Sequence, residues 1–442
     1  MGTAITYPIY RESGLPWAPN LPEDWQVLRN GRLFAHRVQT GFPDLPILEV
    51  SLRTGVRVRD MVNLKRKQVM SQKEKYKRAA KDDIAYNMMR MWQGALGPAP
   101  VDGLVSPAYV VVQPFPEANS AFYSYLFRTD AYKREVNKFS RGIVADRNRL
   151  YWDEFKQMPS FMPPRAEQDQ IVAYLRAQDA HIAQLIKAKR ELIRLLAEQK
   201  QVQIHRLVTR GLASGTAVKP SGYEILGDVP VNWEVLTLRR VLRVKSGDMI
   251  DASKETESGY PIYGGNGPRG FTKGANSNGP MLLLGRVGAK CGCVHRVDGK
   301  FWASEHALRV IPLREIDLEF FEHLLRVIDL NRFAIRTAQP LINSTIVRSQ
   351  PCALPPLSEQ KHIAEAIRAL SVEPDAAIGQ ALREIELIRE YRDRQIADVV
   401  TGQVDVRGWV PGPDDVVADE DLAVLGGDEE LDTDGEEDNG DD

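Results

Sequence analysis

Two short stretches of the 442-residue chain carry spacings that could do chemistry. Gly265-Asn266-Gly267-Pro268-Arg269-Gly270 matches G-x-G-x-x-G. That pattern binds a dinucleotide pyrophosphate when a helix begins directly after the last glycine. Here the turn-rich FTKGANSNGP follows, so the stretch reads as a glycine loop whose backbone can approach a surface, with Arg269 at its tip. Cys291-Gly-Cys293-Val-His295 offers thiol and imidazole ligands, but a structural zinc takes four ligands and no second pair accompanies these three. Strand alternation would place Cys291, Cys293 and His295 on one face, where burial explains them. There is no P-loop, no HExxH, no G-x-S-x-G and no Asn-Pro-Pro-aromatic tetrapeptide, and the seven histidines do not cluster at ligand spacing. The chain reads as non-catalytic, with no metal or cofactor of its own.

Basic residues give a stronger signal. LKRKQVMSQKEKYKRAAK (64–81) carries Lys65, Arg66, Lys67, Lys73, Lys75, Lys77, Arg78 and Lys81 against Glu74 alone. A solvated helix face could look the same. Phosphate contact is the preferred reading, because the charge of the whole chain is so unevenly placed. From Asp414 to Asp442 there are fifteen Asp/Glu and no Lys or Arg, so residues 1–413 hold 58 basic against 45 acidic side chains, a net of +13. Such a body suits a polyanion, since Lys and Arg that neutralise phosphates release counterions. Further along, Asn266, Arg269, Lys273, Arg286 and Lys290 lie in or beside glycine-rich loops. An arginine there can reach a base edge, where a bidentate Arg–guanine pair discriminates by about 1–3 kcal/mol.

The elements that must carry these residues are written twice. MPPRAEQ (162–168) and LPPLSEQ (354–360) stand 192 positions apart, and that offset holds without a gap through the charged runs that follow, as in Ile171/Ile363 and Thr209/Thr401. LPEDWQVLRNGRLF (21–34) is echoed by VPVNWEVLTLRRVL (229–242) at an offset of 208. Each copy therefore has a Trp-bearing opening, a variable part, a double proline and a helical run. Pro-Pro stops what precedes it and presets a helix, with Ser358 as N-cap in the second copy. Each run is expected to be a short helix ending near 177 or 370, then a long one over 180–208 or 372–400. Asp179 and Ser371 would cap the long helices, with Pro374 in a first turn. Ile182, Leu185, Ile186, Leu192, Ile193, Leu195 and Leu196 form one apolar stripe, and Ile378, Leu382, Ile385, Leu387 and Ile388 another. Lys189 and Gln199 interrupt the seam, so a packed antiparallel pair about 45 Å long is expected rather than an extended coiled coil.

The variable parts read as α/β with short strands: a strand over 104–114, a helix over 120–139, several strands over 281–312 and a helix over 317–330. The expected fold is α/β, with two short-stranded domains separated by two long antiparallel helices in a pseudo-two-fold repeat. The expected boundaries are 1–164 and 223–356 for the variable domains, 165–210 and 357–410 for the helical spacers, 211–222 for a linker and 411–442 for a disordered acidic tail. That tail reads as a solubilising terminus rather than an internal competitor for the basic face. Three cysteines, no run of 18 uncharged apolar residues and a start without a leader's pattern suggest a cytoplasmic protein with no membrane association.

In this order the motifs resemble the specificity subunit of type I restriction-modification systems. The doubled Pro-Pro-x-x-Glu-Gln plus long helix looks like that family's two repeated regions. AYNMMRMWQGALG (85–97) with DGLVSPAYVV (102–111) looks like a first target-recognition domain. YPIYGGNGPRGFT (260–272), GRVGAKCG (285–292), KFWASEHAL (300–308) and TAQPLIN (337–343) look like a second. The resemblance covers about 20–410, and the acidic tail has no counterpart in it. It implies that each variable domain reads one half of an asymmetric, two-part target on double-stranded DNA. It also implies that the helices space the readers and dock two methyltransferase (M) subunits, beside restriction (R) subunits. S-adenosylmethionine, ATP and Mg2+ would then sit on those partners. Two readers on one duplex face want centres about 34–36 Å apart, which such helices could set. The rivals are a methyltransferase or nuclease with an unrecognised site, told apart by activity of the isolated chain, and a helical scaffold, told apart by the absence of salt-dependent DNA binding.

Overall fold

In the computed structural model, the structure describes residues 6–52, 55–59, 73–142, 148–213, 215–336 and 339–415, with Leu422 and Leu425. Lys65, Arg66 and Lys67 lie outside the described residues, as does the acidic tail from 416 onward apart from those two leucines. The chain divides into two compact units. The first is Met1–Glu191 with Ala381–Asp442, and the second is Leu192–Gln380.

The two variable parts share almost no sequence, yet each unit builds the same four-stranded antiparallel sheet. In the first unit, strands Phe34–His36, Tyr109–Pro114, Ile84–Asn87 and Leu96–Pro98 lie side by side in that order. In the second they are Leu242–Ser246, Ala307–Pro312, Met281–Gly285 and Val294–Val297. By position in the chain, both run first, fourth, second, third. The inner strands are near-continuous apolar runs, YVVV at 109–112 and LLL at 282–284, because both of their faces are covered. A second antiparallel pair closes each unit ahead of its double proline: Gln26–Arg29 with Pro159–Met162, and Glu234–Thr237 with Pro351–Leu354. The second unit adds a five-stranded sheet around Tyr260–Gly264 and Gly267–Thr272.

Each core is made by one unit's sheet, its surface helix and the ends of two long helices. In the first, Trp25, Phe34, Tyr86, Phe122, Phe127 and Phe161 meet Ile171 and Leu175 from one long helix and Ile396, Val399 and Val400 from the other. In the second, Trp233, Leu282, Leu284, Phe320 and Leu324 meet Ile363 and Ile367 from one and Ile204 and Val208 from the other.

Several local expectations need correction. The long helices are continuous, Arg165–Arg210 (46 residues) and Leu357–Val400 (44 residues), rather than a short helix followed by a long one. Asp179 does not cap: it is buried, accepts from Tyr125 Oη at 2.9 Å and pairs with Arg392 at 2.6 Å. Ser371 donates back to Ile367 O at 2.7 Å, and Pro374 is carried in the helix interior. Ser358 falls inside the first turn, because the helix already starts at Leu357. The strand expected over 104–114 is two strands, Gly103–Val105 and Tyr109–Pro114, separated around Pro107. The helix over 120–139 breaks at Thr129, whose side chain accepts from Tyr132 N and caps a separate helix, Asp130–Phe139. The 211–222 linker contains a strand, Val218–Pro220, paired with Asp228–Pro230.

The helices run antiparallel within each unit. In the first, Lys189 pairs with Glu384 at 2.5 Å and Arg392 with Asp179; in the second, Lys200 pairs with Asp375 at 2.7 Å. Of the packing positions, Ile182 and Ile385 are buried, and Ile193, Leu196, Ile378 and Ile388 are half-buried. Leu185 and Leu192 are not buried against the facing helix: they are 45% and 43% exposed. Two helices bury only a narrow seam, and an apolar stripe wider than that seam leaves its margin outside.

Candidate nucleic-acid interface

The glycine-rich loops of the second unit converge. Gly265 and Asn266 make the turn between strands Tyr260–Gly264 and Gly267–Thr272, and Gly267 has φ +103°. The third glycine of G-x-G-x-x-G is thus mid-strand, and no helix N-terminus follows it to meet a pyrophosphate. The turn lies on the loop after Met281–Gly285. A Cβ on Gly285 would come within 2.0 Å of Gly265 O, and one on Gly265 within 2.9 Å of Val287 O. Arg286 N donates to His306 O at 2.8 Å, and Ile342 N donates to Arg286 O at 2.9 Å. Three loops and the segment around Leu341 therefore present one surface.

That surface carries the predicted polar residues in different states. Asn266, Lys273 and Lys290 are exposed. Arg269 pairs with Glu255 at 2.9 Å, and Arg286 Nη1 reaches Ser246 Oγ and Glu305 O at 3.3 Å each. Cys291 does not share a face with the other two ligand candidates: it lies in a turn beside Gly292 (φ +90°), which sends its side chain into the core. Cys293 and His295 do meet, with Sγ to Nε2 at 3.2 Å, and two ligands do not make a zinc site. Burial, with Arg326 nearby, lowers the His295 pKa below the usual histidine range.

In the first unit, Lys75 is exposed on a short 3-10 turn. Lys77 and Arg78 are held by neighbours. Lys77 Nζ donates to Tyr109 O at 2.7 Å, and burial lowers its pKa. Arg78 pairs with Asp102 at 2.5 Å and lies over the Phe42 ring at 5.2 Å from its centroid. The Asp102 carboxyl is held below its ordinary range by the Lys81 N–H, at 2.8 Å, and by Arg78.

The two Glu-Gln pairs prove to be joints. Gln168 donates to Pro163 O at 2.8 Å and accepts from Asn119 N at 2.8 Å; Gln360 donates to Pro355 O at 2.9 Å and accepts from Asp317 N at 2.9 Å. Asn119 and Asp317 are the N-caps of the surface helices Ser120–Phe127 and Leu318–Ile328. Each buried glutamine thus ties the start of a long helix to the start of a helix in a variable part. The glycines after the long helices, Gly211 (φ +74°) and Gly402 (φ +73°), lie against Trp233 and Trp25, where a Cβ would be 3.2 Å from either ring.

Residues 230–386 match the family described as the type I restriction modification DNA specificity domain. Over that stretch the chain is similar to the DNA specificity domain of type I restriction-modification systems. It is 35% identical over 133 residues to the EcoprrI specificity subunit of Escherichia coli, covering 29% of this chain and 33% of that one. It is 25% identical over 284 residues to the MjaVIII specificity subunit of Methanocaldococcus jannaschii, covering 57% and 64%. The chain thus aligns with about one to two thirds of the length of these curated relatives. A chain from a structural study of complex assembly in a type I R-M system superposes with a TM-score of 0.61 at 14% identity, covering 86% of this chain and 98% of that one; the likeness is one of fold. Within this fold, reading the sequence alone missed the N-cap partners of Gln168 and Gln360. The spacing that could have found them is Asn or Asp placed 49 and 43 residues ahead of the glutamine, ahead of a helix-forming run.

Proposed function

We propose that this chain is the DNA-recognition subunit of a type I restriction-modification assembly and that it performs no chemistry itself. Each unit reads one half of an asymmetric, two-part double-stranded target, while the long helices carry methyltransferase (M) subunits and, in a restricting complex, R subunits. S-adenosylmethionine, ATP and Mg2+ belong to those partners, and the site of action is the cytoplasm. The observation that carries this reading is the repetition of one sheet order and one Gln–N-cap joint beneath two unrelated sets of loops. Two frames that are the same with loops that differ suit two half-sites that differ. The body's net charge of +13 over residues 1–413 suits the phosphate backbone.

The test is methylome sequencing of a methylation-free host expressing the chain with a cognate methyltransferase subunit. The expected result is a motif of two unlike half-sites separated by a fixed unspecified gap. A single continuous palindrome would overturn the reading, as would methyl transfer by the isolated chain. DNA binding by the complex should weaken steeply as salt rises.

A further inference from the structure

We propose that Asn266 is a specificity-determining residue that reads an adenine edge in the half-site of the second unit, and that Cys293 is the residue that positions it. This rests on the DNA-recognition reading above. Asn266 stands exposed at the tip of the hairpin turn, between two glycines that add no side chain to compete with it. The carboxamide offers one acceptor and one N–H donor side by side, and adenine presents N6–H and N7 in the major groove as the matching pair.

What sets this side chain apart from the neighbouring candidates is the rigidity beneath it. Arg269 and Arg286 are engaged with Glu255, Ser246 and Glu305. The Asn266 turn is clamped. Cys293 Sγ donates to Gly265 O at 3.1 Å, and the His295 ring lies under Gly267, 3.4 Å from where a Cβ would stand. The Gly265 carbonyl is also pressed against Gly285, closely enough that no side chain fits between them. A reader held this way loses little freedom on binding, and a small displacement of its base is felt at its tip. The Cys293 contact thus has a function that needs neither a metal nor thiol chemistry.

The experiment compares the methylated motifs produced by the full chain with its methyltransferase partner for the wild type, Asn266→Ala, Asn266→Asp, Cys293→Ala and Cys293→Ser. The wild-type motif should contain a fixed A·T pair that Asn266→Ala and Asn266→Asp both relax, lowering discrimination at that one position by about 5- to 150-fold. Cys293→Ala should relax the same position by roughly two- to tenfold, while Cys293→Ser, which keeps a donor to Gly265 O, should retain it. The other half-site serves as internal control and should not change. A wild type that methylates no fixed motif would overturn the DNA-recognition reading itself. A fixed motif left unchanged by Asn266→Ala would overturn only this inference. So would relaxation at a G·C pair, or an equal loss at every position, which is what a merely structural turn would give.

Discussion

Gln360 holds the N-cap of a helix 43 residues upstream: its Oε1 accepts from Asp317 N at 2.9 Å while its Nε2 donates to Pro355 O at 2.9 Å. Both groups are shielded from water, with Gln360 2% exposed. Gln360→Leu would leave a backbone donor and an acceptor without partners, at about 1–3 kcal/mol each. The expected outcome is a lower urea midpoint for the second unit and increased hydrogen exchange at the start of Leu318–Ile328. An exchange profile unchanged from wild type would show that the joint carries no strain between the parts it ties.

Under the offset of 192, Lys200 and Arg392 are equivalent, and both reach across to the partner helix. Their surroundings differ. Arg392 pairs with Asp179, which is 6% exposed and also receives Tyr125 Oη, whereas Lys200 pairs with Asp375, which is 56% exposed. Arg392→Ala leaves a buried carboxylate behind and should cost about 3–5 kcal/mol. Lys200→Ala should cost about 1 kcal/mol or less. Denaturant midpoints of the two variants should therefore separate clearly.

Acid should weaken the second unit through His323. Its folded pKa is lowered to about 4, chiefly by burial and then by Arg326. The unfolded chain takes up this proton near the ordinary value of about 6.5, before the folded one does. The group's contribution is therefore intact above that value and lost as pH falls from about 6.5 to about 4. Melting temperature recorded from pH 7.5 to 4.5 should fall more for the wild type than for His323→Gln. Parallel curves would remove His323 from the account.

Exposure divides the helical apolar residues into two classes. Ile385→Ala should destabilise by about 2–5 kcal/mol, as a buried large aliphatic. Leu192→Ala, at an exposed position, should stay within about 0.5 kcal/mol. If the helices carry methyltransferase subunits, Leu192→Ala should instead weaken subunit association, measured by ultracentrifugation of the complex. A large stability loss at Leu192 would contradict the exposure seen here.

The repeat was legible in the sequence because prolines, tryptophans and the Glu-Gln pairs recur in register. The identical sheet order was not legible. Strands such as MLLLG and YVVVQP announce burial but not their neighbours, since pairing is set by contacts far apart in the chain. The helix breaks were misjudged at Asp179 and Ser371, because a residue that caps well in isolation is also a good buried acceptor or an i−4 back-bonder. Among the candidate DNA contacts, Arg269, Arg286, Lys77 and Arg78 were found by charge alone. Charge does not say which of them is already paired with an acidic side chain or a carbonyl.

The second unit is one unbroken stretch, Leu192–Gln380, whereas the first closes only with Ala381 onward and takes Ile396, Val399 and Val400 into its core. On the ribosome, the later-encoded half is therefore the first to have all its parts. The earlier-encoded half must wait for Ile396, Val399 and Val400, which complete its core, and for Gly402, which lies against Trp25, until the end of the last helix emerges. Nascent chains stalled so that Gln380 but not Ile396 has emerged from the ribosome should thus hold a protease-resistant second half and a labile first half, an order of maturation opposite to the order of synthesis.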